Sequence, residues 1–155
     1  MTRGFTAAED QAESKKFAAT TLKGFTYPEF NNGVKIWELR GQDARLDANE
    51  NVEILAPELQ LFGNEKPALI RSEKALFILK SKECMMSGNV RGMISGDFEV
   101  KTELARFDSK ISRINFPGPF EVQGLQAEFK GNGGHYDIRE KKLVSENGAV
   151  LFIDL

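Results

Sequence analysis

The chain has 155 residues, 41% of them hydrophobic, and a formal net charge of -2. That length gives one domain with a core of its own, and scattered Lys and Arg at near-zero net charge exclude a nucleic-acid footprint. The single cysteine, Cys84, excludes an internal disulfide and a cysteine-based metal site; beside Met85 and Met86 it reads as a small buried hydrophobe.

Residues 1–22 hold Ala7, Ala8, Ala12, Phe17, Ala18, Ala19 and Leu22 among charged side chains. This is the only helix-favouring segment, expected as a short helix or a disordered lead-in. The domain proper then spans 23–155. No run of about 18 apolar residues is present to span a membrane. Residues 1–16 lack the apolar centre of a secretory signal, so any anchor or export signal of the native protein is expected outside this sequence.

From Lys23 onward short β runs follow one another: 34–41, 44–48, 51–56, 59–62 after Pro57, 68–81, 84–90, 97–108, 125–130, 135–139 and 143–155. Polar or Gly-containing turns separate them, and no helical period alternates with them. The spacing predicts an all-β sandwich or barrel of neighbouring hairpins. The clearest stretch is 105–122, ARFDSKISRINFPGPFEV, read as strand, turn, strand, turn, strand, with Pro117-Gly118-Pro119 stopping a strand. It repeats at thirty residues: Ala75, Gly88 and Val90 match Ala105, Gly118 and Phe120, and so do His135, Gly148 and Val150. A weaker copy lies at Ala44, Leu46 and Asp47. A fixed period of this kind predicts one small unit stacked several times.

Catalytic patterns are missing from the sequence. His135 is the only histidine and has no nucleophile motif to serve. Asp47, Asp108 and Asp137 each follow an apolar strand and read as strand-end Asx turns. Strands can bring any two carboxylates together, so a glycosidase pair is left open by spacing, and nothing favours it. Residues 131–134 are Gly-rich but precede no helix, so they are not a phosphate cradle. The chain is therefore expected to be a non-enzyme without a cofactor or metal.

What remains is the apolar face. If each strand points one row inward, the inward set is Leu46, Ile54, Leu61, Phe77, Leu79, Val90, Phe98, Val100, Phe107, Ile114, Phe116, Phe120, Val122, Phe129 and Phe152. This set is either an ordinary filled core or the lining of an apolar groove in a sandwich that does not close. The final run, 149–155, is a candidate exposed edge.

The order and spacing of short motifs resemble a known family. Trp37-Glu38-Leu39-Arg40-Gly41 with Asp43-Ala44-Arg45-Leu46 is similar to its opening strand pair. Ser72 to Leu79 with Ser87-Gly88-Asn89-Val90 is similar to its next unit. Thr102 to Asp108, Gly124-Leu125 and Leu143 to Val150 are similar to those that follow. The family is that of the LptC-like periplasmic proteins of lipopolysaccharide export, relatives of LptA and the OstA-type domain, and the resemblance covers residues 24–155. It implies an open, twisted antiparallel β-jellyroll whose interior, lined by the inward set, carries lipid A acyl chains. It implies edge docking by β-augmentation, to an inner-membrane ABC transporter of the LptB/LptF/LptG type and to an LptA-like jellyroll. Ala149, Val150, Leu151, Phe152 and Ile153 are the candidate partner edge. Periplasmic location with an N-terminal inner-membrane anchor is also implied. Two readings stand beside it: a structural β-scaffold with a filled core, and a carbohydrate-binding jellyroll, for which Trp37, Tyr27 and Tyr136 are thin material.

Overall fold

The computed structural model describes residues 20–62, 68–94, 97–124 and 126–152. The short helix expected within 1–22 falls, up to residue 19, outside the described residues; from Thr20 the chain is already strand. Twelve strands form one antiparallel sheet: β1 (Thr20–Asn31), β2 (Val34–Leu46), β3 (Asn51–Leu55), β4 (Glu58–Leu61), β5 (Ala68–Arg71), β6 (Lys74–Ile78), β7 (Glu83–Ile94), β8 (Phe98–Asp108), β9 (Arg113–Gln123), β10 (Glu128–Asp137), β11 (Lys142–Ser145) and β12 (Val150–Phe152). The chain is all-β, as its turn spacing predicts.

A crease runs across the strands. Between β2 and β7 the sheet follows two separate tracks. β3 and β6 connect residues 43–46 of β2 to 83–87 of β7. β4 and β5 connect 37–40 of β2 to 91–93 of β7. The same break continues as a register shift between Ser87 and Val90 in β7 and between Phe116 and Pro119 in β9. Gly88 (φ 83°) supplies the left-handed backbone that the β7 break requires. Hence SGNV and PGPF are not turns followed by strands. Each is a kink inside one continuous strand, and Pro117-Gly118-Pro119 bends β9 without ending it. Only NGAV is a true turn.

The crease folds the sheet onto itself. Three strands separate Trp37 on β2 from Phe107 on β8 along the sheet, yet their rings are 5.4 Å apart and edge-on. Contact over that interval requires the two half-sheets to face each other. Between them sits the core, with Leu39, Ile54, Leu59, Phe77, Tyr136 and Leu143 all at or below 1% exposure.

The half-sheet that contains β3 and β6, the first half-sheet, has four-residue turns at its hairpin tips, 47–50, 79–82, 109–112 and 138–141. Each ends in a non-glycine residue with positive φ: Glu50, Lys82, Ser112 and Lys141. That conformation costs about 1 kcal/mol. Here it aims three of the four carbonyls at the next tip. Leu79 N–H donates to Glu50 O, the Ser109 hydroxyl to Lys82 O, and Ile138 N–H to Ser112 O. The recurring aspartates act as expected. Asp47 accepts from Asn49 N at 2.8 Å, Asp108 from Lys110 N at 3.1 Å and Asp137 from Glu140 N at 2.9 Å.

Candidate functional site

Pleating decides which side chains can meet. Residues two apart share a face, so the repeated runs send one row from every long strand into the space between the half-sheets. Of the expected inward set, Ile54, Leu61, Phe77, Val90, Val100, Phe107, Ile114, Phe116, Phe120 and Val122 are buried there, and Leu46, Leu79, Phe98 and Phe129 pack half-buried against them. Phe152 does not belong to the set: it is 71% exposed. In β12 it pairs with Lys142, on the outward row, while Leu151 pairs with the buried Leu143. One residue of parity reverses the face.

The interior is aromatic at both ends. Phe116, Phe120 and Phe129 stack with centroid separations of 5.1 and 6.2 Å. At the other end Trp37 packs against Tyr27 (5.8 Å), Phe77 (6.1 Å) and Phe107 (5.4 Å). Trp37 and Leu39 are missing from the expected set, although Trp37 alternates with Ile36 and Glu38 and so marks its own face. The indole Nε1 of Trp37 is buried without a hydrogen-bond partner. An orphaned donor of this kind costs about 1–3 kcal/mol and calls for a reason. A small internal recess of about 20 Å³ lies beside Val90, Ile94 and Val100, space for about one water.

The half-sheets are continuous only at the crease. Along the opposite rim, among the described residues, the Lys82–Glu29 ion pair bridges them near Trp37. Lys82 Nζ, in the 79–82 tip, lies 3.1 Å from both carboxylate oxygens of Glu29 on β1. That hydrogen bond, with the nearby Tyr27, raises the Lys82 pKa. Two sheet edges are unpaired among the described residues: β1, twelve residues long, and β12. β12 contains Val150, Leu151 and Phe152 of the expected partner edge; Ala149 precedes it, and Ile153 lies outside the described residues. β1 was hidden in the sequence because it lacks clean alternation and contains Pro28, which an edge strand tolerates. The signal for it was Asn32-Gly33, a two-residue turn with φ of 53° and 79° joining β1 to β2.

Among the described residues His135 and Cys84 stand apart from each other. His135 stands opposite Asn115 and Val144 on the outward face. Burial holds its pKa below the ordinary value, with Arg113 adding to the effect. Cys84 is buried, and burial pushes its thiol up to about 12, so it behaves as a hydrophobe. Among the described residues no cluster of His, Cys, Asp or Glu could hold a metal ion. No protein-family model matches this chain, and no curated protein matches it.

Proposed function

We propose that this chain is a non-enzymatic lipopolysaccharide carrier of the LptC type, working in the periplasm. It holds lipid A acyl chains between its two half-sheets. It receives them from an inner-membrane ABC transporter and passes them to an LptA-like jellyroll by edge-strand pairing. The observation that carries this reading is the interior: an aromatic layer between two half-sheets that are continuous only at the crease, containing the unpartnered indole N–H of Trp37. Acyl chains would replace ring contacts with methylene burial, at about 0.8 kcal/mol per methylene. A sugar hydroxyl or ester oxygen would satisfy the Trp37 donor. The free edges of β1 and β12 suit partners that add a strand at each end.

Photo-crosslinking from Phe107 or Phe116 against purified lipopolysaccharide tests the reading, with Phe152 as the outward control. Adducts are expected from the two interior positions and not from Phe152. Adducts equally strong from Phe152, or none from the interior while the β circular-dichroism signal persists, would overturn it. The near-complete burial of Leu39, Phe77, Tyr136 and Leu143 favours a second reading, a β-scaffold with a filled core that only presents its edges. Strand-edge partners captured without any interior lipid adduct would support that one.

A further inference from the structure

The outward face of an antiparallel sheet is usually polar, but the first half-sheet departs from this. Its outward rows carry Leu55 on β3, Leu76 and Ile78 on β6, Met85 on β7 and Leu104 on β8. Leu76 lies directly opposite Met85, and Leu104 opposite Ser87. Leu55 is 56% exposed and the other four are half-buried. Together they line a concave recess of about 800 Å³, within the range of roughly 300–1,000 Å³ typical of small-ligand sites. This recess lies on the opposite side of the half-sheet from the interior.

The charges around it are unbalanced. Its carboxylates are already paired: Asp43 with Lys23 at 3.1 Å, and Glu53 with Arg45 at 3.4 Å. Two cations are left over. Lys74 lines the recess, and Arg106 stands opposite Met85 on the neighbouring strand. Neither has an ion pair among the described residues. A bilayer surface cannot enter a concave pocket, whereas a single chain can.

We propose that this recess binds one acyl chain bearing a single anionic head group, with the chain against Leu55, Leu76 and Met85 and the head toward Lys74 and Arg106. The site is independent of the interior reading and stands or falls without it.

Fluorescence titration of the full chain with a dansyl-labelled undecanoate tests the proposal. Saturable one-to-one binding is expected. Leu76→Glu should weaken it at least about tenfold, because the new carboxylate would lie in apolar surroundings. Leu55→Glu, at a more exposed position that leaves folding intact, should do the same. Arg106→Glu should weaken it about two- to tenfold, the span of an exposed charge contact, and should not weaken binding of the uncharged dansyl alcohol. Lipopolysaccharide adducts at Phe116 should be unchanged by Leu55→Glu, which separates this site from the interior one. Absence of saturable binding, or wild-type affinity in both Leu55→Glu and Leu76→Glu, overturns the proposal. So does a wild type that self-associates and becomes monomeric with Leu55→Glu, since the recess would then be covered by a second copy.

Discussion

Among the described residues the Glu29–Lys82 pair is the ion pair that ties the two half-sheets together at the rim beside Trp37, and its removal should loosen the interior measurably. Lys82 Nζ sits 3.1 Å from both Glu29 oxygens, with side-chain exposures of 40% and 26%. Two charges about 4 Å apart near a protein surface attract by about 4 kcal/mol before desolvation and side-chain ordering. Exposed pairs keep about 0.2–1 kcal/mol of that. Two-oxygen contact and partial burial place this pair near the upper end, about 1 kcal/mol. Lys82→Met keeps the stem and the positive-φ cost, so it removes the charge alone. The expected fall in Tm is about 2–4 °C for a domain of this size. Trp37 is the only tryptophan and is 4% exposed, so acrylamide quenching of its emission reports rim opening directly, and it should rise in Lys82→Met. The raised Lys82 pKa adds a pH signature. The contribution is fully present below the unfolded value of 10.5 and is lost as pH rises through the higher folded value. Unchanged quenching in Lys82→Met, together with a Glu29/Lys82 double-mutant coupling below about 0.3 kcal/mol, would refute a closing role for the pair.

Three further substitutions probe the fold around the interior. At Gly41 a Cβ would lie 2.1 Å from Ile54 Cγ2, and Ile54 is a buried, stiff side chain. Gly41→Ala should therefore cost about 1–3 kcal/mol by overpacking, read from the urea midpoint. Phe120→Ala should cost about 3–5 kcal/mol, because it removes the middle ring of a three-ring stack. Phe152→Ala should stay within about 0.5 kcal/mol, and a large loss there would contradict the outward placement of β12. Acidification should act in two stages. The folded His135 pKa lies below 6.5, so stability is lost as pH falls below 6.5 while the unfolded chain takes up the proton first. For Asp137, burial alone would raise the carboxyl, but the Glu140 N–H bond and the Arg113 charge outweigh it. Its contribution is present above 3.8 and lost as pH falls through the lower folded value. Urea midpoints against pH should show His135→Gln losing the upper stage and keeping the lower one.

Much of this architecture was legible in the chain because alternation fixes which face a residue occupies. The rows through Phe77, Phe107, Ile114, Phe116 and Phe120 could be read as inward from period two alone. The Asx turns at Asp47, Asp108 and Asp137 could also be read, since an aspartate after a strand offers its carboxylate to the turn N–H groups. The crease could not. Gly88 and Gly118 recur at thirty residues and look like turns, because a kink and a turn use the same residues. Only long-range pairing to β5 and β6 shows that β7 continues through Gly88. Phe152 was misplaced for a related reason: a three-residue strand after a Gly turn carries too few residues to establish its own parity, and pairing with β11 decides it. Trp37 was overlooked although its alternation was visible, since its partners Phe77 and Phe107 are distant in sequence.

One feature of the sequence gains meaning only from the two-faced geometry. An antiparallel strand with one wet face alternates, whereas a strand covered on both faces reads as an unbroken apolar run. β6 carries Ala75-Leu76-Phe77-Ile78 and β7 carries Cys84-Met85-Met86. Ala75, Phe77, Cys84 and Met86 are buried in the interior, while Leu76, Ile78 and Met85 point the other way. The interior accounts for two residues of each run and leaves Leu76, Ile78 and Met85 unexplained. Strands that needed to cover just that core could carry Thr, Lys or Glu at the outward positions without loss, as β9 does with Asn115, Glu121 and Gln123. In β6 and β7 the residues of the runs that the core does not use line the outer recess, and this coincidence is what assigns that face an apolar occupant.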